Sequence, residues 1–421
     1  MEIIEYSKDN LKRISSLLTY KVEEKVRRLV SKVIRDVRQN GDKGILKWTK
    51  EFDKIDLSLK RIKVSEGDVN RAYQRIDCSF IPLLRSVINN VEEFYRKEKK
   101  RELRIRRDGV VLGRLERPIE RVGVYIPGGS AALISTVYMS VIPAKVAGVK
   151  EIILTSPVRE RGEIDAHILV VANLLGVKEI YRIGGAQAIA ALAFGTSLVK
   201  KVDKIVGPGN VYVQEAKRQC FGFVDIDMLA GPSEVVIVAD DSTPVSFVIA
   251  DLHAQQEHKE GSGILLTNSS KLAEVVQKEI NKGWIILLRR LEEAVEVINL
   301  LAPEHLQLMV SRARDLIPLI NNAGAIFVGR YSPVAVGDYF AGPSHILPTQ
   351  GGARFFSCLR RETFVKASHY ISCSRKGLEK AREVINKLSE IEGMIRHKES
   401  IEIRFRKSRN GDKKSGDSPQ E

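Results

Sequence analysis

The string Ala147-Gly148-Val149-Lys150-Glu151-Ile152 recurs 28 residues downstream as Leu175-Gly176-Val177-Lys178-Glu179-Ile180. Each copy ends a helical stretch at glycine and opens a short apolar run, so one helix-then-strand unit is used twice in succession. Strands separated by a helix pair in parallel, and a parallel sheet must be covered on both faces. The same grammar continues on either side of the repeat. Short runs at Val122–Ile126, Glu151–Thr155, Glu179–Ile183, Lys204–Val206, Val235–Ala239, Ile264–Thr267, Trp284–Leu288 and Ala325–Val328 alternate with helical stretches such as Ala131–Ala147. The chain therefore reads as α/β, with two doubly wound, mostly parallel sheet domains and helical N-terminal and C-terminal extensions. A break is expected near Ala230-Gly231-Pro232-Ser233.

Outside this core the pattern is helical. Residues 1–105 read mainly as helix, with three-to-four spacing of apolar residues over Tyr20–Asn40 and Val64–Lys100. Beyond Phe364 helix is expected to Ile395, then a strand-like Ile401–Phe405, and residues 406–421 carry too little apolar content to order.

A chain of 421 residues exceeds one ordinary core. No apolar run approaches the roughly 20 residues of a membrane span. The start Met1-Glu2-Ile3-Ile4-Glu5 lacks the basic-then-apolar order of a secretory signal, so a cytoplasmic protein is expected. Cys78, Cys220, Cys358 and Cys373 are widely spaced, which suits reduced thiols. Arg96–Arg107 holds eight Lys/Arg against two Glu, and Arg404–Lys414 holds six against one Asp, together +11 of the net +15. A nucleic-acid partner would use such segments, but a solvated helix end and a tail explain them without one, and no nucleic acid is expected.

Four of the seven histidines fall in short polar clusters: Gln255-Gln256-Glu257-His258, Ala302-Pro303-Glu304-His305, Gly337-Asp338-Tyr339 with His345, and Glu392 with His397. Imidazole, carboxylate and carboxamide are metal ligands and acid–base groups near neutral pH. Gln255 and His258 share a helical face, so both can meet one metal, although such a pair is more often plain polar surface. Asp338 follows Gly337 in an expected loop, and His345 lies between Pro343 and Pro348, where the backbone is stiff. Pro303 suits a first helical position, which would put Glu304 and His305 in the positive end of a helix field, keeping Glu304 ionised and His305 neutral. Glu392 and His397, five apart, would diverge on one regular helix, so a break at Gly393 or separate targets are required. Three Gly-containing turns, Tyr125-Ile126-Pro127-Gly128-Gly129, Gly184-Gly185-Ala186-Gln187 and Gly207-Pro208-Gly209-Asn210, each join a strand to a helix. Each alone reads as a tight connection; three in one α/β unit suggest a dinucleotide cleft, although none is a GxGxxG fingerprint.

These motifs resemble the histidinol dehydrogenase family from about residue 20 to Phe405. The resemblance rests on Arg-Val-Gly-Val-Tyr-Ile-Pro-Gly-Gly (121–129), Gly-Gly-Ala-Gln-Ala-Ile-Ala-Ala-Leu-Ala-Phe-Gly-Thr (184–196), Gly-Pro-Gly-Asn (207–210), Ala-Gly-Pro-Ser-Glu (230–234), Ala-Pro-Glu-His-Leu (302–306) and Gly-Asp-Tyr (337–339) through His345-Ile-Leu-Pro-Thr349. It implies zinc on Gln255, His258, Asp338 and His397, and proton acceptors Glu304 and His305. It further implies substrate contacts from Ser233, His305, His345 and Glu392 as well as the metal ligands, and NAD contacts from Tyr125, Gln187 and Asn210. The implied reaction oxidises L-histidinol to L-histidine through L-histidinal with two NAD⁺, in a homodimer whose sites share Glu392 and His397. The implied organisation is an N-terminal arm (1–20), a discontinuous main domain (21–125 and 232–356), an inserted nucleotide-binding domain (126–231), a dimer-exchanged C-terminal domain (357–405) and a tail (406–421). Gln256, Lys259 and Ser344 depart from the family's usual residues. A zinc and NAD dehydrogenase of another small polar alcohol is the alternative; a sulfonate substrate would call for extra Arg or Lys.

Overall fold

The computed structural model describes residues 1–19, 22–77, 79–98, 103–128, 132–159, 162–258 and 260–406. Expectations for Tyr20, Cys78, residues 99–102, Gly129, Ala131, Lys259 and the tail beyond 406 lie outside the described residues. The chain divides into two compact units, Met1–Lys99 with Pro118–Val365 and Lys100–Arg117 with Lys366–Glu421.

The first unit holds two sheets, each wholly parallel. The five-stranded sheet contains β4 (Arg121–Tyr125), β5 (Glu151–Ser156), β6 (Glu179–Arg182), β7 (Lys204–Val206) and β8 (Asp225–Ile226), in the order β6-β5-β4-β7-β8. Its strands are short buried runs without alternation, as burial on both faces requires. Gly148 (φ 95°) and Gly176 (φ 74°) end the helices Ile134–Ala147 and Ala166–Leu174 in the left-handed conformation, which fixes where β5 and β6 begin. The chain winds outward from β4 to β6 and resumes on the other side of β4, so order reverses between β4 and β7.

The six-stranded sheet contains β1 (Glu2–Glu5), β9 (Glu234–Ala239), β10 (Ser262–Thr267), β11 (Trp284–Leu287), β12 (His305–Leu308) and β13 (Ala325–Val328), in the order β1-β11-β10-β9-β12-β13. Order reverses here between β9 and β12. Glu2–Glu5, inside the segment read as an N-terminal arm, is an edge strand paired with β11. Helix Glu24–Asn40 buries Val26, Val30, Val33 and Val37 in the core of the five-stranded sheet. The long helix expected over Val64–Lys100 is two, Glu66–Tyr73 and Phe80–Lys97.

The second unit corrects the sequence reading most. Leu103–Arg107 (β2) and Val110–Pro118 (β3) form an antiparallel hairpin, and Val365–Cys373 (β14) joins them in a three-stranded sheet where helix was expected. All five residues of β2 are exposed, so it has no buried face to give a period. Two helices follow, Arg375–Ile391 and Ile395–Glu402, and the strand-like Ile401–Phe405 is the end of the second plus a 3₁₀ turn.

Candidate functional site

At the switch point of the six-stranded sheet, His305 lies opposite Val235 in the β12–β9 register, which sets Glu304 beside Glu234. Glu304 and His305 are therefore not in a helical first turn. Ala302 (φ 49°) caps the preceding helix, and His305 opens a strand. Pro303 thus stands before a strand, and the pair does not sit at a helix N-terminus.

Burial does the tuning instead. Glu304 and His305 are 7% and 4% exposed. Burial pushes the Glu304 carboxyl up to about 7, against the lowering pull of the Ser233 hydroxyl and Glu234 amide. The expectation of a firmly ionised Glu304 is thereby replaced by a carboxyl poised near neutrality. Burial also depresses the His305 imidazole below its ordinary value, opposed by the charge of Asp338.

Ser233 Oγ donates to Glu304 Oε2 (2.7 Å), and the Glu234 amide donates to the same oxygen (2.9 Å). In return, the Glu304 amide donates to Glu234 Oε1 (3.2 Å), which also accepts from the Gln350 amide (3.0 Å). His305 Nδ1 lies 3.1 Å from the Glu234 carbonyl oxygen. A carbonyl only accepts, so Nδ1 carries the proton and Nε2 keeps a free lone pair. Nε2 is buried with no hydrogen-bond partner among the described residues.

Sequence reasoning missed Glu234, whose side chain and backbone together hold both neighbours. Burial, reinforced by Glu304, raises its carboxyl well above the ordinary glutamate value. A charged residue opening the apolar run Glu-Val-Val-Ile-Val-Ala was the available signal.

Asp338 stands in the short helix Val334–Tyr339, not in a loop. Its Oδ1 is 3.9 Å from His305 Nε2 and 3.9 Å from His345 Nδ1. Burial lifts the Asp338 carboxyl to about 6 and lowers the His345 imidazole to about 4, the latter helped by His305 and His258. His345 is steadied by its neighbour Ser344, whose amide donates to Tyr95 Oη (2.9 Å) and whose Oγ accepts from the Ile346 amide (3.2 Å).

Gln255 is buried in the last turn of helix Val245–Gln256, and the exposed His258 lies just past its end. The divergent Gln256 bonds the Lys282 carbonyl. No three His, Cys, Asp or Glu side chains are gathered as a metal cluster among the described residues. The donor set still suits a cation: Gln255 Nε2 is buried without a partner, and amide O and N are interchangeable by a flip. A cation would also offset the burial of the Asp338 carboxylate.

Tyr125, Gln187 and Asn210 all lie at the carboxyl edge of the five-stranded sheet, where ligands bind in such folds. Tyr125 is buried and its hydroxyl accepts from the Gly185 amide (3.1 Å). Gln187 is fully buried with neither amide atom bonded among the described residues. Asn210 caps helix Val211–Cys220, its Oδ1 accepting from the Tyr212 and Val213 amides (both 3.1 Å).

Two connections bring this edge to the Glu304 site. Residues 227–233 alone link the end of β8 to the start of β9, at most about 25 Å of chain. The Tyr138 hydroxyl, in the helix that follows β4, donates to the carbonyl of Tyr339, next to Asp338 (3.2 Å).

Glu392 and His397 lie in the second unit. Glu392 ends helix Arg375–Ile391, Gly393 (φ 72°) breaks the chain, and His397 sits in the next helix. The required break is therefore present. Both residues are exposed, and neither side chain has a hydrogen-bond or ion-pair partner among the described residues.

Chemically, the first unit offers a buried general base with a fixed tautomer, a second base near neutrality, metal donors beside them and a nucleotide-type edge nearby. Residues 19–405 match the family described as histidinol dehydrogenase. A histidinol dehydrogenase of Bacillus cereus is 44% identical, covering 96% of this chain and 99% of its own. One of Caldanaerobacter subterraneus is also 44% identical, covering 91% and 94%. The crystal structure of histidinol dehydrogenase from Elizabethkingia anophelis superposes with a TM-score of 0.90 at 36% identity, covering 96% of this chain and 98% of that one. This chain belongs to the histidinol dehydrogenase family.

Proposed function

We propose that this enzyme oxidises L-histidinol to L-histidine through a retained L-histidinal, consuming two NAD⁺ and one water. The observation that supports the reading is the Ser233–Glu234–Glu304–His305 network, in which the buried Glu304 carboxyl and His305 imidazole are neighbours.

His305 Nε2 takes the proton of the substrate hydroxyl in the first oxidation, and NAD⁺ supplies the hydride acceptor for both. Its Nδ1–H stays on the Glu234 carbonyl, so the ring cannot turn its lone pair away. Glu304 takes a proton from water as it adds to the aldehyde, and the hydrate is the substrate of the second oxidation. A carboxyl near 7 is matched to that exchange at neutral pH.

Gln255, His258 and Asp338 would hold zinc, with His397 from a second copy. The zinc would anchor the substrate's imidazole and amino nitrogens, so that orientation fixes the reacting carbon. Ser233, His345 and the second copy's Glu392 complete the substrate contacts. Tyr125, Gln187 and Asn210 would meet NAD at the carboxyl edge of the five-stranded sheet, with residues 126–231 as the inserted nucleotide-binding unit and Tyr125 at its boundary. The working form is a cytoplasmic homodimer with shared sites.

The test separates the two bases. Glu304→Gln should slow L-histidinal oxidation far more than the alcohol step, and His305→Asn should slow the alcohol step by about 10²-fold or more. Equal losses in both steps for both variants would refute the division of labour.

A further inference from the structure

We infer that Lys217 and Asp227 are positioning residues for the dinucleotide turn. The inference rests on the reading that NAD binds at the carboxyl edge of the five-stranded sheet. Both side chains are wholly buried and form an ion pair of 2.5 Å. A buried pair kept only for stability is commonly replaceable by apolar residues of like volume. Apart from the adjacent Met228 amide, which donates to Asp227 Oδ1 (2.7 Å), the pair's remaining side-chain bonds go to one residue. Asp227 Oδ2 accepts from the Gly207 amide (2.7 Å), and Lys217 Nζ donates to the Gly207 carbonyl (3.0 Å).

Gly207 is the first residue after β7 and has φ 115°, and a Cβ there would collide with the Tyr125 carbonyl oxygen. The position must therefore be glycine, which has no side chain to pack and the most backbone freedom to lose. The two charges fix both of its peptide groups from behind. They thereby set the path of Pro208 and Gly209 into Asn210, at the switch point beside β4.

The paired substitution Lys217→Met with Asp227→Leu keeps volume and leaves no unpaired charge. It should preserve the circular dichroism spectrum, with a thermal midpoint lowered by the loss of partners for the Gly207 and Met228 backbone groups. The KM for NAD⁺ should rise on the order of tenfold, the scale of one lost charge-assisted bond, and the KM for L-histidinol should stay within about twofold. A folded variant with an unchanged KM for NAD⁺, or with both KM values raised equally, overturns the inference.

If the pair does not fold, Asp227→Asn carries the test. Its shape is nearly identical, yet it can set an amide donor against the Gly207 N–H, and the same selective rise is expected. Misfolding of both variants would mark the pair as a structural staple and overturn the inference. Wild-type enzyme that fails to oxidise L-histidinol with NAD⁺ sinks the functional reading instead. Titration with NADH, followed by its fluorescence, then decides the turn separately: weaker binding by the variants supports it, and equal binding rejects it.

Discussion

Glu234 should tolerate Gln and not Ala. Its Oε1 is the acceptor for two backbone amides, those of Glu304 and Gln350. Glu234→Ala strands both in a buried site, at about 1–3 kcal/mol each, so a loss of about 2–6 kcal/mol is expected before any cavity is counted. That is a large share of a typical domain's 5–15 kcal/mol. Glu234→Gln keeps an oxygen at the same place. Because burial raises the native carboxyl well above the ordinary glutamate value and so favours its neutral form, Gln is close to an isostere, and the change should stay within about 1 kcal/mol.

The pH dependence has a definite sign. The folded chain holds the Glu234 proton to higher pH than the unfolded chain, which releases it around the ordinary value of 4.5. Between that value and the raised folded one, the folded state binds more protons, so this group's contribution to stability falls as pH rises. Glu234→Gln has no such loss. Urea unfolding from pH 5 to pH 8 should therefore show the variant gaining on the wild type, by up to about 1.4 kcal/mol per pH unit. If Glu234→Gln loses as much as Glu234→Ala at neutral pH, with a flat difference across pH, the carboxylate is ionised and the account of this network is wrong.

Exhaustive chelation should abolish turnover and added zinc should restore it; full activity in protein shown metal-free by elemental analysis would contradict the proposed donor set. Mixing inactive His258→Ala with inactive His397→Ala after subunit exchange should return about a quarter of wild-type activity. Half of randomly formed dimers are mixed, each with one intact site. A mixture that stays dead after confirmed exchange would place His397 in its own chain's site.

The parallel core was legible because its punctuation is local. Gly148 and Gly176 end helices in a conformation that disfavours other residues, and the buried strands between them are short apolar runs. Those cues place Lys204–Val206 and Ala325–Val328 at their observed limits. The strand His305–Leu308 was hidden because Pro303-Glu304 mimics a helix start, and four wholly buried residues show no period. The strands Leu103–Arg107 and Val365–Cys373 lie largely exposed, so no apolar alternation marks them. The site's residue types were readable, but their tuning was not. Whether Glu304 feels a helix end or dry surroundings depends on what packs around it, and that is set by Ser233 and Glu234, some 70 residues away in sequence.

The central claim is the four-electron oxidation of one bound substrate. Limiting L-histidinol should be incubated with purified, zinc-loaded protein and excess NAD⁺, and NADH, L-histidinal and L-histidine counted at completion. The account predicts two NADH and one L-histidine per L-histidinol, with no free aldehyde accumulating. One NADH with released L-histidinal, or no NADH at all, would contradict it.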